Sequence, residues 1–232
     1  MENNIFSVIE NGNQPLKEQI IAEIDGYTIE VCTSKESKLI AYKLRYDAFI
    51  KSYPLLTNNE GLLYDELDES DNTWSFLVWY QGKPIATVRG SIWGFQYGWA
   101  NTVVTKYFAK ELNLNIGKQN ILESSRYAVS PEFQGRKSLF AQMLCFHIHA
   151  INSAIHNCNY IITVVKQSHA PFYDRFLGLN VISNTPKYIE WFNVEGLLLG
   201  AERDKSMSVA LKRGMPDYTG VELNKFIKIL NL

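Results

Sequence analysis

The sequence has few cysteines and almost no net charge, and each of these features excludes some classes of protein. Its 232 residues include three cysteines, Cys32, Cys145 and Cys158, an odd number at wide spacings without a C-x-x-C motif. We therefore expect reduced thiols in a cytoplasmic protein, with neither a disulfide framework nor a cysteine-bound metal. Basic and acidic side chains number 23 and 24, and this balance argues against nucleic acid as a partner.

Long apolar runs are missing as well. No run of about eighteen apolar residues occurs, and the opening stretch MENNIFSVIENGNQ lacks the basic and apolar blocks of a secretory signal. We therefore predict no transmembrane segment. The apolar fraction is 46% and the charged fraction 20%, as in globular proteins. Without a linker or repeat, we predict one domain over 1–232, with an N-terminal extension (1–26) and a C-terminal helix (214–232).

Hydrophobic periodicity predicts a mixed order of strands and helices. We expect a short amphipathic helix in PLKEQIIAEID, and Thr33 with Glu36 indicates a capping box for a helix that reaches about Ser52. Two β-rich runs around QGK predict a hairpin over 73–93. Further predictions are strands over 27–33, 120–129, 160–165, 180–193 and 206–212, a long helix over 136–156, and a short helix that ends at Gly178. This order is typical of an α/β protein with one central sheet.

The turn before the long helix is the first candidate site. Gly135, Arg136 and Lys137 lie where the helix would present free backbone N–H groups and the positive end of its dipole. This arrangement suits a phosphate, and a surface turn with solvated charges has the same pattern.

The strand before that turn carries ionisable residues. Alternation would send Glu123 and Ser125 to one face, and Ser124 and Arg126 to the other. Such residues in an apolar strand are either paired in a salt bridge or used in chemistry, and both interpretations stay open.

An acidic loop and a tyrosine complete the set. The loop is either a solvated surface or part of a polar pocket, and its spacing does not match the twelve-residue calcium loop, so we predict no metal site. Tyr173, four residues after His169, is either a core residue or a general acid. The acids are Asp65, Glu66, Asp68, Glu69 and Asp71, with Arg45 and Arg89 as partner cations.

Taken together, these residues resemble the GNAT acyltransferase superfamily. The strand, V-S-P-E-F-Q-G-R turn and long helix are similar to its acyl-donor-binding segment. Within it, the likeness is to acyl-homoserine-lactone synthases and long-chain N-acyl-amino-acid synthases, which use acyl carrier protein. The matching positions, in chain order, are Arg45 and Phe49; Glu66, Asp68 and Asp71; Arg89; and Glu123, Ser125 and Arg126. The implied fold is a GNAT-like three-layer sandwich around a mixed, mostly antiparallel sheet.

Three features refine the resemblance. Leu55 stands where homoserine-lactone synthases have a tryptophan, and Lys137 and Leu139 replace glycines of the usual GNAT pyrophosphate loop. The loop without its glycines argues against a standard acetyl-coenzyme A enzyme. The stretch HAPFYDRFLG is similar to the corresponding part of N-acyl-amino-acid synthases. The resemblance therefore favours an N-acyl-amino-acid synthase. A homoserine-lactone synthase that uses S-adenosylmethionine, and a non-catalytic acyl-carrier or lipid-binding module, remain the alternatives.

The resemblance also implies a division of roles. The phosphopantetheine arm of acyl carrier protein, the donor, would lie along the strand at Tyr127 and Val129 and reach Gly135, Arg136 and Lys137. A backbone N–H near Tyr127 to Val129 would hold the oxyanion, and no tightly bound cofactor is expected. Glu123 would be the base and Tyr173 the acid. Arg89 or Arg126 would bind the acceptor carboxylate; the other substrate-binding positions are Arg45, Phe49, Asp68, Asp71 and Ser125. Candidate walls for an acyl channel are the hairpin-region aromatics Trp74, Phe76, Trp79, Trp93, Phe95 and Trp99.

Overall fold

The structure, a computed structural model, describes residues 14–94, 96–115, 119–135, 138–183, 185–213 and 227–229. The predicted C-terminal helix over 214–232 therefore lies outside the described residues, except for the helical residues 227–229. Arg136 and Lys137 also lie outside them, as does Phe95.

Strands and helices are mixed along the described chain. The strands are β1 (Ile20–Ile24), β2 (Tyr27–Val31), β3 (Thr73–Tyr80), β4 (Lys83–Trp93), β5 (Ile121–Val129), β6 (Tyr160–Lys166), β7 (Asn180–Val181), β8 (Lys187–Ile189) and β9 (Val194–Glu202). The helices are α1 (Lys35–Phe49), α2 (Val103–Asn115), α3 (Ser138–Ile155), α4 (Ala170–Leu177) and α5 (Arg203–Lys212).

The nine strands form one sheet in the order β1-β2-β3-β4-β5-β6-β9-β7, with β8 paired to β9. All the pairs are antiparallel except β5 with β6. Along β3, Phe76 and Val78 pack in the same hydrophobic cluster as residues of α3, whereas Leu77 and Trp79 pack with residues of α1. Because successive side chains of a strand point to opposite faces, the sheet lies between two helical layers. The prediction of a mixed, mostly antiparallel sheet flanked by helices is confirmed.

Two predicted elements were assigned to the wrong type of structure. The segment PLKEQIIAEID is a short 3-10 helix, Lys17–Gln19, followed by β1, which pairs with β2. Pairing buries Ile21 and Ala22, so contacts distant in sequence outweigh the helical spacing. Residues 206–212 belong to α5 and not to a strand; Ser206 and Ala210, four residues apart, bury the same helix face.

The boundaries of other elements follow the sequence more closely. The hairpin of β3 and β4 is present, and α4 ends at Gly178, whose φ of 63° is in the left-handed region. Helix α1 is also present, but its N-cap is Ser34 and not Thr33, because the Ser34 side chain accepts a hydrogen bond from the backbone N–H of Ser37 at 3.1 Å. The predicted run of strand over 180–193 is divided into β7 and β8, with the 3-10 turn Glu190–Phe192 after them.

Candidate active site

The main cavity opens where β5 and β6 separate. Their parallel ladder runs from the Ile121–Tyr160 pair to the Ser124–Thr163 pair and ends there, although both strands continue. Beyond that point both strands line a cavity of about 1430 Å³. Ligand pockets commonly measure roughly 300–1000 Å³, so this space is large enough for an extended substrate.

A bulge in β5 directs the polar side chains of the cavity. Two residues of β5, Arg126 and Tyr127, stand opposite the single residue Val88 of β4, because Thr87 pairs with Ala128 and Arg89 with Ser125. Arg126 has a φ of 53°, which is uncommon for a residue with a side chain. The prediction that Arg126 faces away from Ser125 was therefore wrong, since simple alternation stops at the bulge.

Arg89 and Arg126 share one carboxylate. Asp65 accepts a hydrogen bond from Nη1 of Arg89 at Oδ1 and one from Nη2 of Arg126 at Oδ2, both at 2.5 Å. Nη1 of Arg89 also donates to Oδ2 of Asp68 at 3.0 Å, and its Nε donates to Oγ of Ser125 at 3.1 Å. Asp65 caps the short 3-10 helix Glu66–Glu69. The acidic loop is thereby attached to the two strands that carry the arginines.

Arg45 belongs to the same network but is not at the cavity. Its Nη1 donates to Oδ1 of Asp68 at 2.7 Å and its Nη2 to Oγ of Ser75 at 2.6 Å, and the side chains of Arg45 and Asp68 are both 0% exposed. Neither residue lines the cavity. The sequence predicted that these two residues bind substrate, but they support the arginine network from the protein interior.

The two cavity arginines differ in how far their charge is neutralised. Burial lowers the pKa of Arg89, but Asp68 and Asp65 outweigh this effect and leave it above its ordinary value. Burial, followed by repulsion from Arg89, leaves the pKa of Arg126 below its ordinary value despite Asp65. Arg89 also donates to two aspartates and Arg126 to one, so Arg126 has more capacity for a further negative partner.

Glu123 lies in the cavity wall, on the sheet face that carries Arg89. Its Oε2 accepts a hydrogen bond from Nε1 of Trp93 at 2.8 Å. Burial raises the pKa of Glu123 above its ordinary range, even though Arg89 and hydrogen bonds from Thr102 and Trp93 lower it. A buried carboxylate with a raised pKa is a stronger base than a solvated one, so Glu123 has the properties of a general base.

Tyr173 of α4 and Tyr127 of β5 also line the cavity. Burial raises the pKa of Tyr173 to about 12, so its hydroxyl stays protonated at neutral pH. Burial raises the pKa of Tyr127 as well. Tyr173 can therefore donate a proton but cannot act as a base under ordinary conditions.

The turn before α3 and the start of this helix form part of the cavity wall. Gly135 and Ser138 line the cavity, and the Ser138 hydroxyl donates to the carbonyl of Gly135 at 2.6 Å. A Cβ at Gly135 would meet nothing within 4 Å, so the turn leaves open space beside the helix N-terminus. The predicted phosphate-binding cations, Arg136 and Lys137, fall outside the described residues.

Other predicted positions divide into those at the cavity and those away from it. Phe49, Ser125, Tyr127 and Val129 line it. Asp71 is exposed and does not line it. The described hairpin-region aromatics do not line it either, because Trp74, Phe76, Trp79 and Trp93 are taken up by the core and Trp99 is exposed.

Two residues of the site, Asp65 and Phe192, were not predicted from the sequence. Asp65 was noted only as part of an acid-rich loop, yet it is the carboxylate between the two cavity arginines. Phe192, from the turn after β8, lines the cavity and its ring lies 5.6 Å from Cζ of Arg126. No sequence pattern pointed to it.

Comparison with known families identifies the family of the chain. A sequence profile of the N-acyl amino acid synthase FeeM family matches residues 40–202, more than half of the chain. The chain belongs to the FeeM family. The matched segment contains the arginine network, Glu123 and Tyr173. The protein is therefore an acyltransferase of the N-acyl-amino-acid-synthase type, and the non-catalytic alternative is set aside.

Solved structures share the fold across most of the chain. FeeM, an N-acyl amino acid synthase from uncultured soil microbes, has a TM-score of 0.65 at 15% identity, covering 81% of this chain and 95% of FeeM. The acyl-homoserine-lactone synthase LasI has a TM-score of 0.59 at 16% identity, covering 83% and 98%. BjaI, a CoA-dependent acyl-homoserine-lactone synthase solved with SAM and isopentyl-CoA, has a TM-score of 0.55 at 16% identity, covering 83% and 90%. At these identities the likeness concerns the fold, which is GNAT-like. A comparison with curated proteins finds no match.

Among the helices that the structure describes, none has the length and apolar character needed to cross a bilayer.

Proposed function

We propose that the protein transfers a fatty acyl group from acyl carrier protein to the α-amine of an amino acid, giving an N-acyl amino acid. One observation carries the proposal: a single cavity joins the open edge of β5 to Glu123 and Arg126. A thioester arm, an amine and a carboxylate can thus occupy one continuous cavity, next to a base and a cation.

The donor would enter along the separated strands. Beyond Ser124, β5 has no described ladder partner on its β6 side, so its backbone can pair with the amide groups of a phosphopantetheine arm. The start of α3, at Gly135 and Ser138, would face the phosphate of that arm. A backbone N–H near Tyr127 to Val129 would then polarise the thioester carbonyl.

The acceptor would be held by its carboxylate on Arg126. Three guanidinium groups of the network face two aspartates, so the network has one positive charge in excess before Glu123 is counted. Among the described residues, Asp65 is the acceptor of a hydrogen bond from Arg126. Since a guanidinium can bind a carboxylate at two points, Arg126 has both the donors and the charge for this role.

In the proposed reaction Glu123 is the base and Tyr173 is the acid, and both line the cavity. Glu123, directly or through water, takes a proton from the amine, and the nitrogen attacks the thioester carbon to form the new C–N bond. The C–S bond breaks, and Tyr173 donates its proton to the leaving thiolate. The proton removed at Glu123 returns to Tyr173 through solvent, so the products are an N-acyl amino acid and free pantetheine thiol.

Acyl carrier protein is favoured over coenzyme A as the donor. The loop that binds the pyrophosphate of coenzyme A is usually glycine-rich, but Lys137 and Leu139 take the place of those glycines, and the Leu139 side chain lines the cavity. Lys137 and Arg136 also add positive charge for an acidic carrier. A cytoplasmic location, where Cys32, Cys145 and Cys158 stay reduced, fits this donor.

Lactone formation from S-adenosylmethionine is the second candidate, because LasI and BjaI share the fold. S-adenosylmethionine calls for acids and an aromatic face, and the cavity lining contains both: Glu66, and the rings of Phe49, Tyr53 and Phe192. The choice therefore rests on two narrower observations. Asp65 and Asp68 are both engaged by arginines, and Leu55 replaces the tryptophan of the lactone branch. These observations favour a free amino acid.

One assay tests donor and acceptor together. Purified protein is incubated with acyl carrier protein or coenzyme A carrying the same long acyl chain, and with mixed amino acids or S-adenosylmethionine. We expect mass spectrometry to detect N-acyl amino acids and thiol release to be faster with the carrier protein, as judged by kcat/KM. A better rate with coenzyme A would overturn the donor, and lactone without N-acyl amino acid would overturn the acceptor. Reversing both Arg136 and Lys137 should slow only the carrier-dependent reaction and flatten its salt dependence.

A further inference from the structure

Phe192 lies between the acceptor cation and an aromatic wall. The face of its ring is 5.6 Å from Cζ of Arg126. Its ring centroid is 5.4 Å from that of Tyr53 and 6.3 Å from that of Phe49, both with nearly perpendicular planes. Phe49 ends α1, and Tyr53 follows it closely. The ring is thus anchored on α1 on one side and contacts the guanidinium on the other.

The turn that carries Phe192 is itself fixed. Asn193, which ends the turn, has a φ of 50°, and its backbone N–H donates to the carbonyl of Glu190 at 3.2 Å. The Tyr188 hydroxyl donates to Oδ1 of Asn193 at 2.5 Å. These contacts restrain the backbone of the turn from which the Phe192 side chain projects.

Phe192 lies where two cavities meet. It lines the main cavity and a second cavity of about 230 Å³, and Lys166 and His169 also line both. Arg126 lines the main cavity and not the second one. Asp65 accepts one hydrogen bond from Arg126, and the ring of Phe192 accepts none, so the contact with the ring leaves the remaining N–H groups of Arg126 available.

We propose that Phe192 is a positioning residue for acceptor binding. Its ring and Asp65 together hold the guanidinium of Arg126, so that the free N–H groups of Arg126 face the acceptor carboxylate. This inference rests on the proposed function. An arginine side chain has many rotamers, and a long side chain held before binding loses less conformational freedom when the acceptor arrives. The ring face also stabilises the cation without competing for its N–H donors.

The test compares Phe192→Leu, Phe192→Tyr and the wild-type protein in acyl transfer. We expect the acceptor KM of Phe192→Leu to rise about 3- to 10-fold, the size of a cation–π contact, with donor KM and kcat within about twofold. Phe192→Tyr keeps the ring face and should restore the wild-type acceptor KM. The control is Phe140→Leu, the same change at a ring that packs against Tyr27 and does not line the cavity. Its acceptor KM should not change.

A double-variant cycle separates positioning from loss of fold. In the Arg126→Ala background, Phe192→Leu should have no further effect on acceptor KM, because the group that it positions is gone. An equal rise in both backgrounds, or an acceptor KM in Phe192→Leu equal to that of the wild type, would overturn the role of Phe192 while leaving the proposed function intact. If the wild-type protein acylates no amino acid, the proposed function fails, and this inference fails with it.

Discussion

Arg45 and Arg126 both belong to the motif set that the sequence suggested, and the structure puts them in opposite surroundings. Arg45 comes from a regular helix, is fully buried and is paired with an equally buried Asp68. Arg126 lies on a bulge with a positive φ, faces the cavity and shares its aspartate with Arg89. Strained backbone and incomplete charge neutralisation are common at functional sites and are costly elsewhere. This difference is the basis of our proposal that Arg45 maintains the site and Arg126 binds the substrate.

The largest effect is expected at Glu123, on the cavity side of this comparison. Glu123→Gln keeps the shape and the hydrogen bond from Trp93 but removes the base, so kcat should fall roughly 10²–10⁴-fold. The rate is measured by release of pantetheine thiol, and circular dichroism checks that the fold is retained. Near-normal turnover across neutral pH would place the base elsewhere.

For the buried arginine, Arg45→Met should lower the free energy of unfolding more than it affects the acyl-transfer reaction. It leaves Asp68 in the interior with one partner fewer, and breaking a buried ion pair costs about 3–5 kcal/mol in the free energy of unfolding. The matched control is Lys38→Met, which breaks the exposed pair with Glu69 and should cost less than about 1 kcal/mol. Urea unfolding measures both. Equal stability of the two variants would mean that Arg45 is not structural.

The two aspartates of the acidic loop give a smaller and more selective contrast. Asp65→Asn removes the shared anion of Arg89 and Arg126, and hydrogen bonds to charged groups contribute about 1.5–3 kcal/mol, so kcat/KM for the acceptor should fall about 10- to 100-fold. Asp71→Asn changes an exposed residue and should stay within about twofold of the wild type. A larger loss for Asp71→Asn than for Asp65→Asn would reverse the assignment.

The pH profile gives the smallest expected change. Burial raises the pKa of Glu123, and the carboxylate is the active form. Activity is therefore lost as pH falls through this raised pKa, and the acid limb of kcat/KM should lie above the ordinary glutamate value of 4.5. In Glu123→Gln this limb should disappear, leaving only the titration of the acceptor amine. An unchanged acid limb in Glu123→Gln would mean that another group controls it.

The sequence predicted the sheet and the main helices, because these depend on periodicity and turn chemistry. The β3–β4 hairpin and the end of α4 at Gly178 are examples. The predicted site residues that line the cavity, among them Arg89, Glu123 and Arg126, came from the family resemblance. Prediction from periodicity failed where distant contacts decide. The spacing in PLKEQIIAEID fits a helix, yet pairing with β2 makes its second half a strand.

Three features of the candidate site could not be predicted from the sequence, each for a physical reason. The bulge at Arg126 breaks alternation, and a bulge has no reliable local signature when its residue is not glycine. In a loop with five acids, spacing alone did not show that Asp65 and not Asp71 faces the arginines. Phe192 comes near Arg126 only because β9 lies beside β6, which is a property of the topology.

The central claim is that Arg126 binds the carboxylate of the acceptor whose amine is acylated. The most direct measurement compares an amino acid with its carboxamide as acceptors, using the wild-type protein and Arg126→Ala. The account predicts that the wild type prefers the amino acid by about 30-fold or more in kcat/KM, since loss of one charged partner costs about 2–5 kcal/mol, and that Arg126→Ala loses most of this preference. An undiminished preference in Arg126→Ala, or no preference in the wild type, would contradict it.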